Sequence, residues 1–485
     1  MNFRTGLLAA SLLLATLPAF GAGDADAPLI DPAQIARIDS LPQLYQLADG
    51  FKKAGDDKHV TMVLARITQL LPGDGTLRLQ LAVRYAEAGD KTNTYETLMT
   101  MQKQGFGYDI ANDPRFDKVH GTEAWKYIVE SLKSNLKPFG EGKVAFTLPG
   151  GDHLYEALAF DPKRGMFLVG SVRDGTVQLA DKDGTLGDFI KPVGGTGPWS
   201  VYALAVDPKR DLLYVATTAS VYFKGFDAAD FGKAGVFTYQ LSSGKLLRKA
   251  ELDPDGRPRT LSSIAVGPDG TVFAADGIRN EIYRLDGDAL KLELSNPRLT
   301  SIRGLAVSGD GKTLYFADYS LGLLGIDLVH NRGFALGFDP KALVLGGIDG
   351  LYWYDGTLVA IENGMSPQRV IRLHLDKDGR TISKLMPLDV ANPAFALPTT
   401  GTIAGDSLYF IANSQRNAYD TYGVPKDSTK LQPVKVFRSN LRFAWDKGGV
   451  PTAPASADSN PAPVIGKQFR NVRSGAKSAS SPPSN

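Results

Sequence analysis

The sequence predicts a chain of two structural classes, a helical-repeat segment followed by an all-β, six-bladed propeller. Three observations carry this. Apolar residues early in the chain recur at helical spacing. From residue 143 onward one short phrase returns six times, each time opening an alternating strand. Glycine supplies 52 of 485 residues, well above the usual ~7%, which suits many tight turns between short strands.

Composition excludes several function classes. There are 54 Lys and Arg against 52 Asp and Glu, a net charge of +2. A nucleic-acid binder would show a basic excess or stripe. Cysteine is absent, which rules out disulfides, zinc–thiolate sites, iron–sulfur clusters and a cysteine nucleophile.

Residues 1–22 read as a secretory signal. Arg4 supplies the positive start, residues 6–17 the apolar run, and Ala19-Phe20-Gly21 the small residues of a cut site. The run is shorter than the ~20 residues a spanning helix needs. The mature chain is expected to be periplasmic or secreted, with no membrane span.

Residues 31–135 are expected to form a helical domain. Val60, Val63, Leu64, Ile67 and Leu71 share one helical face. Ala54-Gly55-Asp56 and Ala88-Gly89-Asp90 mark two turns 34 residues apart. The stretch Leu81-Ala82-Val83-Arg84-Tyr85-Ala86-Glu87-Ala88-Gly89-Asp90 resembles the first helix and turn of the tetratricopeptide repeat, which has that period. The resemblance implies a groove for a protein partner. A helical spacer packed on the next domain is the alternative.

The propeller is expected over residues 143–446. Its six anchors begin at Glu156, Tyr202, Ser262, Arg303, Asp349 and Thr400, spaced 41 to 60 residues apart. Turn signals such as Pro268-Asp269-Gly270 and Asp355-Gly356 follow most of them, and a second apolar strand comes next. Several strands per repeat at such a period mark a propeller. A β-sandwich needs only about seven strands in all. Residues 143–148 form a lone strand that can complete the last blade and close the ring. Residues 447–485 are expected to be disordered.

This arrangement selects one face. The six anchor residues are expected to ring one mouth of the central channel. The ends of the second strands, Asp276, Asp318, Glu362, Asn363 and Asn413, are expected to flank them or merely to cap strands in water. Two long links, residues 222–233 and 414–432, are expected to overhang that mouth. Trp199, Tyr202 and Tyr319 are candidates to stack on a ligand, and Trp353 is expected in the core. The histidines, His59, His120, His153, His330 and His374, show no metal-binding spacing. No G-x-S-x-G elbow is present.

Glu156, the phrase Arg303-Gly304-Leu305-Ala306 through Asp318, and Asp349-Gly350-Leu351 resemble the regucalcin, gluconolactonase and luciferin-regenerating-enzyme family, and more loosely NHL-repeat propellers. The resemblance implies a Glu, an Asn and an Asp holding calcium or zinc, with the Asp assisting hydrolysis. Glu156 and Asp349 match the Glu and the Asp, so they are the candidate metal ligands and Asp349 the candidate catalytic residue. Arg303 stands at the Asn position, and Ser262 at that of a substrate-contacting Asn.

An arginine accepts no hydrogen bond and keeps its charge, whereas calcium wants six to eight oxygens. The Arg303 guanidinium is therefore expected to bridge Glu156 and Asp349 in place of a metal, leaving no cofactor. The alternative is that Arg303 turns away and the two carboxylates bind Ca²⁺ or Zn²⁺ with water. The candidate ligand-binding set is Glu156, Tyr202, Ser262, Arg303, Asp349, Thr400 and Asp318. Two functions follow. One is a non-catalytic binding protein for a small anionic or sugar-like ligand, with a possible protein partner on the helices. The other is a metal-dependent lactonase or esterase.

Overall fold

The computed structural model describes residues 30–194 and 196–442. The signal-like segment and the tail beyond residue 442 lie outside the described residues. Contacts divide the chain into two compact units, one ending at Ile67 and the other beginning at Thr68. The helical domain expected over 31–135 is thus split between them. Among the described residues, no helix is long and apolar enough to cross a membrane.

Helices begin where the sequence places short acceptors. In the first unit, Asp31 caps α1 (Pro32–Ile35) and Ser40 caps α2 (Leu41–Lys53). The next helix, α3 (Asp57–Leu70), follows Gly55 at φ 71°. In the second unit, the Asp74 carboxylate accepts from Thr76 N and Leu77 N at 2.9 and 3.0 Å to start α4 (Gly75–Glu87). Asp90 does the same for Asn93 N at 3.0 Å and starts α5 (Lys91–Lys103). Each cap satisfies amides that have no partner within the helix. Gly89, at φ 75°, makes the turn between α4 and α5, a conformation that disfavours any Cβ. Thr122 caps α6 (Glu123–Ser134).

Helices α4 to α6 are not a free array. Phe106, Phe116, Trp125 and Ile128 share a core with Val344 and Met365 of the β region. Gln104 Nε2 donates to Pro340 O at 2.6 Å, and Gly107 N donates to Ser366 O at 2.6 Å. Gly73 touches Gly346 so closely that a Cβ on it would lie 2.4 Å from the Gly346 Cα.

The rest of the second unit is a six-bladed propeller of four-stranded antiparallel sheets. The inner strands are Tyr155–Asp161, Ser200–Asp207, Leu261–Val266, Ile302–Val307, Ile348–Tyr354 and Gly401–Ala404, one per blade. Five of the anchors are the second or third residue of these strands, and Thr400 immediately precedes its own. Closure follows the expected route: Lys143–Leu148 pairs antiparallel with Val434–Asn440 as the outer strand of blade six. This pairing removes a free edge.

Each pair of neighbouring blades shares an apolar layer. Alternation explains how one strand serves two layers. In blade four, Leu305 and Val307 pack toward blade three, while Ala306 packs toward blade five. The repeated Asp-Pro-Lys-Arg turns are clasps between blades. Asp161 holds Lys163 N at 2.9 Å and the Arg164 guanidinium at 2.5 Å, and that guanidinium reaches Leu241 O of blade two at 2.8 Å. Arg210, held by Asp207 at 2.7 Å, reaches Asp269 O of blade three.

One buried acid ties the approach to the closing strand onto the ring. Asp389 of blade five accepts from Gly142 N at 2.8 Å and from the Ser439 hydroxyl. Burial pushes its carboxyl up to about 6. The folded value exceeds the unfolded one, so this contribution to stability is complete below the unfolded value and is lost as pH rises through about 6. It amounts to about 2–3 kcal/mol. Asp389→Asn should remove that dependence. Urea midpoints of native and variant, compared on either side of pH 5, should converge at low pH and favour the variant at neutral pH. Parallel pH profiles would refute the assignment.

Candidate functional site

The site is built by a register fault repeated around the ring. In blade one, Tyr155 pairs with Ser171 and Ala157 with Gly170, so Glu156 is an extra residue in a bulge. The same shift occurs at Tyr202, Ser262, Arg303 and Asp349. In blade six, Ile411 O accepts from Thr399 N and Ile411 N donates to Thr400 O, each at 3.0 Å, which again sets two residues against one. A bulge re-aims the side chain it carries. All six anchors consequently line one axial cavity of about 510 Å³.

The same fault corrects the expectation for the second-strand ends. Asp276, Asp318 and Glu362 pair with the residue before the anchor, and the five do not flank the cavity as a ring. Asp318 is fully buried, and its carboxylate accepts from Thr300 N, Ser301 N, Ser320 N and Leu321 N at 2.6–3.1 Å, and from the Thr300 hydroxyl. It does not line the cavity. Asp276 likewise accepts backbone amides. Glu362 is fully buried against Arg369. Asn413 ties Pro433 O and Lys435 N at the base of its loop. Asn363 alone reaches the site: its Nδ2 donates to Asp349 Oδ2 at 2.8 Å, and its Oδ1 accepts from the Tyr319 hydroxyl at 2.8 Å.

The expected bridge between Glu156 and Asp349 exists, but Arg303 does not make it. Arg416 does. Its Nη2 lies 2.7 Å from Glu156 Oε2, and its Nη1 lies 4.0 Å from Asp349 Oδ2. The Ser414 hydroxyl donates to the other oxygen of Glu156. The two carboxylate side chains are 3% and 7% exposed, and that of Arg416 is 37% exposed. Glu156, foremost, holds the Arg416 guanidinium well above its ordinary pKa. Arg416 arrives on the long link of blade six, which meets that of blade two: the Tyr222 hydroxyl donates to Asp420 O at 3.3 Å, and Gly423 packs on the Tyr222 Cα.

Arg303 takes a different place in the same cavity. Its Nε donates to Ser301 Oγ at 2.9 Å, and its guanidinium lies 5.7 Å from the Tyr319 ring centroid. Both contacts fix the plane and leave the outer fork without an acceptor among the described residues. Burial pushes the hydroxyls of Tyr202 and Tyr319 each up to about 12, so both are neutral donors. Tyr202 meets Ser220 Oγ at 3.0 Å. The Ser262 hydroxyl has no partner among the described residues. Thr400 stands at the head of the short strand of blade six.

Other expected side chains serve the structure. Trp199 is buried between blades one and two. His153 pairs with Asp174 at 2.7 Å and lies outside the cavity lining. Trp353 stacks on Tyr315, as expected of the core, and also borders the cavity.

No cluster of three metal-ligating side chains occurs among the described residues, and a guanidinium already occupies the space between the two acids. Two arginines and two carboxylates make the mouth formally neutral.

No family model matches the chain, and no curated protein matches it. Among solved structures, the chain is similar to the PQQ-bound aldose sugar dehydrogenase of Streptomyces coelicolor, with 17% identity and a TM-score of 0.41 over 62% of this chain and 99% of that one. It is similar to a putative glucose dehydrogenase of Thermus thermophilus, with 20% identity and a TM-score of 0.42 over 62% and 100% of the two chains. It is also similar to a luciferin-regenerating enzyme, with 15% identity and a TM-score of 0.39 over 63% and 95%.

Proposed function

We propose that the protein is an exported, metal-independent binding protein whose axial cavity holds a small anionic or sugar-like ligand. The carrying observation is Arg416, bonded to Glu156 and facing Asp349 where a cation would otherwise neutralise them. With Arg416 engaged by both acids, Arg303 is the other cation of the mouth and the one placed to receive a ligand. A planar fork held from behind by Ser301 and Tyr319 suits a carboxylate or phosphate, which it can grip with two parallel bonds. Tyr202 borders the same cavity with a hydroxyl that meets Ser220 Oγ. The helical segment is proposed as the protein-interaction part, and export rests on the pattern of residues 1–22.

A calorimetric titration tests this. Gluconate should bind without added metal, and Arg303→Ala should weaken it by about tenfold or more. Ca²⁺ and Zn²⁺ should give no saturable heat. Micromolar metal binding by the native chain would overturn the proposal.

A second reading is a metal-dependent lactonase or esterase. The observation that favours it is the meeting of Glu156 and Asp349 at one mouth, with Asn363 orienting Asp349. A lactone panel run with and without chelator decides between the two. Chelator-sensitive turnover that disappears in a folded Asp349→Ala variant would establish the enzyme.

A further inference from the structure

A second cavity, of about 520 Å³, lies on the flank of blade five where the ends of α5 and α6 meet the outer strand Ile382–Val390. It shares no residue with the axial cavity. Its volume is that of a small-molecule site. Leu343, Ile382, Leu385, Pro387 and Val390 give it an apolar lining, and Phe139, 43% exposed, adds an aromatic face.

Three lysines border this apolar surface: Lys103 at the end of α5, Lys137 beyond α6, and Lys384 on the strand. None of them has an ion-pair partner among the described residues. Asp339 is the one acid in the lining, and its Oδ1 accepts from Lys341 N at 2.9 Å. A fourth cation, Arg369, also lines the cavity and is only 5% exposed. Its Nε is bound to Glu362 and its Nη1 donates to Gln104 O at 3.2 Å, while its Nη2 has no acceptor. A buried donor without a partner costs free energy unless something supplies one.

The outer strand is poorly suited to adding an extended peptide. Phe139 already pairs with Val390 at one end, at 2.9 and 3.0 Å, and Gly337 with Arg380 and Ile382 at the other, at 2.8 Å. Pro387 removes an amide between them. Strand addition needs a continuous free edge, whereas a compact ligand does not.

We infer that this cavity binds a free amphipathic carboxylate, its chain on the Leu343–Leu385 surface and its head group among Lys103, Lys137 and Lys384. This inference is independent of the axial ligand. Full-length protein should be titrated calorimetrically with decanoate, decanol and decyltrimethylammonium below their micelle concentrations. Decanoate should bind saturably at one site, and the uncharged and cationic analogues about tenfold more weakly or worse. Lys103→Glu/Lys384→Glu and, separately, Lys137→Glu should weaken decanoate while leaving gluconate heats unchanged. Arg303→Ala should leave decanoate binding intact. No saturable decanoate binding, equal binding of all three amphiphiles, or loss of decanoate binding in Arg303→Ala would overturn the inference. Sedimentation with phosphatidylglycerol vesicles in place of decanoate binding would overturn it too, in favour of a membrane surface.

Discussion

Arg416→Ala should lower the unfolding free energy by about 2–3 kcal/mol, read from urea denaturation at neutral pH. Removing one member of a buried ion pair costs ~3–5 kcal/mol. The lower figure applies because the Arg416 side chain is 37% exposed and solvent already screens part of the interaction. The loss arises from Glu156, whose carboxylate would keep only the Ser414 hydroxyl and would face Asp349 without a cation between them. Two further variants separate this cause from simple loop damage. Arg416→Lys should recover only part of the loss, because a single ammonium cannot serve both acids as a planar fork does. Arg416→Ala/Glu156→Gln should be more stable than Arg416→Ala, because it removes the stranded charge. Calcium should raise the unfolding free energy of Arg416→Ala, and not that of the native chain, by about 2.7 kcal/mol at a hundredfold excess over Kd. A fully stable Arg416→Ala variant, indifferent to calcium, would remove Arg416 from the centre of this account.

Arg369→Met should cost more, about 3–5 kcal/mol, because here both partners are buried. The Glu362 and Arg369 side chains are 0% and 6% exposed. Burial already pushes the Glu362 carboxyl above its ordinary pKa against the pull of Arg369, and the variant leaves that acid alone. It also removes the donor to Gln104 O at the end of α5. Amide exchange should therefore rise in the last turn of α5 before it rises in the inner strands. Glu362→Leu/Arg369→Met should return most of the lost stability, since an apolar pair of similar volume avoids the cost of burying charge. If the double variant is as unstable as the single one, the pair's role lies in its hydrogen bonds to α5 rather than in charge compensation.

The propeller was legible because it is a repeat. A strand facing two apolar layers must alternate, and a hairpin must turn, so both leave marks in the order of residues. The closing strand was legible for a related reason: the last repeat lacks an outer strand and Lys143–Leu148 has no partner in its own neighbourhood. The helices were legible from their apolar spacing and from the turns Ala54-Gly55-Asp56 and Ala88-Gly89-Asp90, since a helix that buries one face must repeat its apolar residues at that period. Their division at Ile67 and Thr68 was not, because it depends on contacts such as Gly73 against Gly346. Asp318 was misplaced because an acid that ends a strand looks the same whether it faces a ligand or collects five donors.

The sequence by itself determined six blades, a common face, and the six residues presented there. Through its family resemblance it also led to the expectation of something positive, an arginine or a metal, between Glu156 and Asp349. Only the tertiary structure decided which residue does so. Arg303 was the candidate by position in the repeat, yet its guanidinium is held aside by Ser301 and Tyr319. Arg416 was hidden in a long link outside any repeat. Its place is set by the packing of that link against Tyr222 of blade two, far away in the chain. Repeats record what neighbouring residues must do for one another; a loop folded across a mouth is placed by surfaces it meets only after the ring has closed.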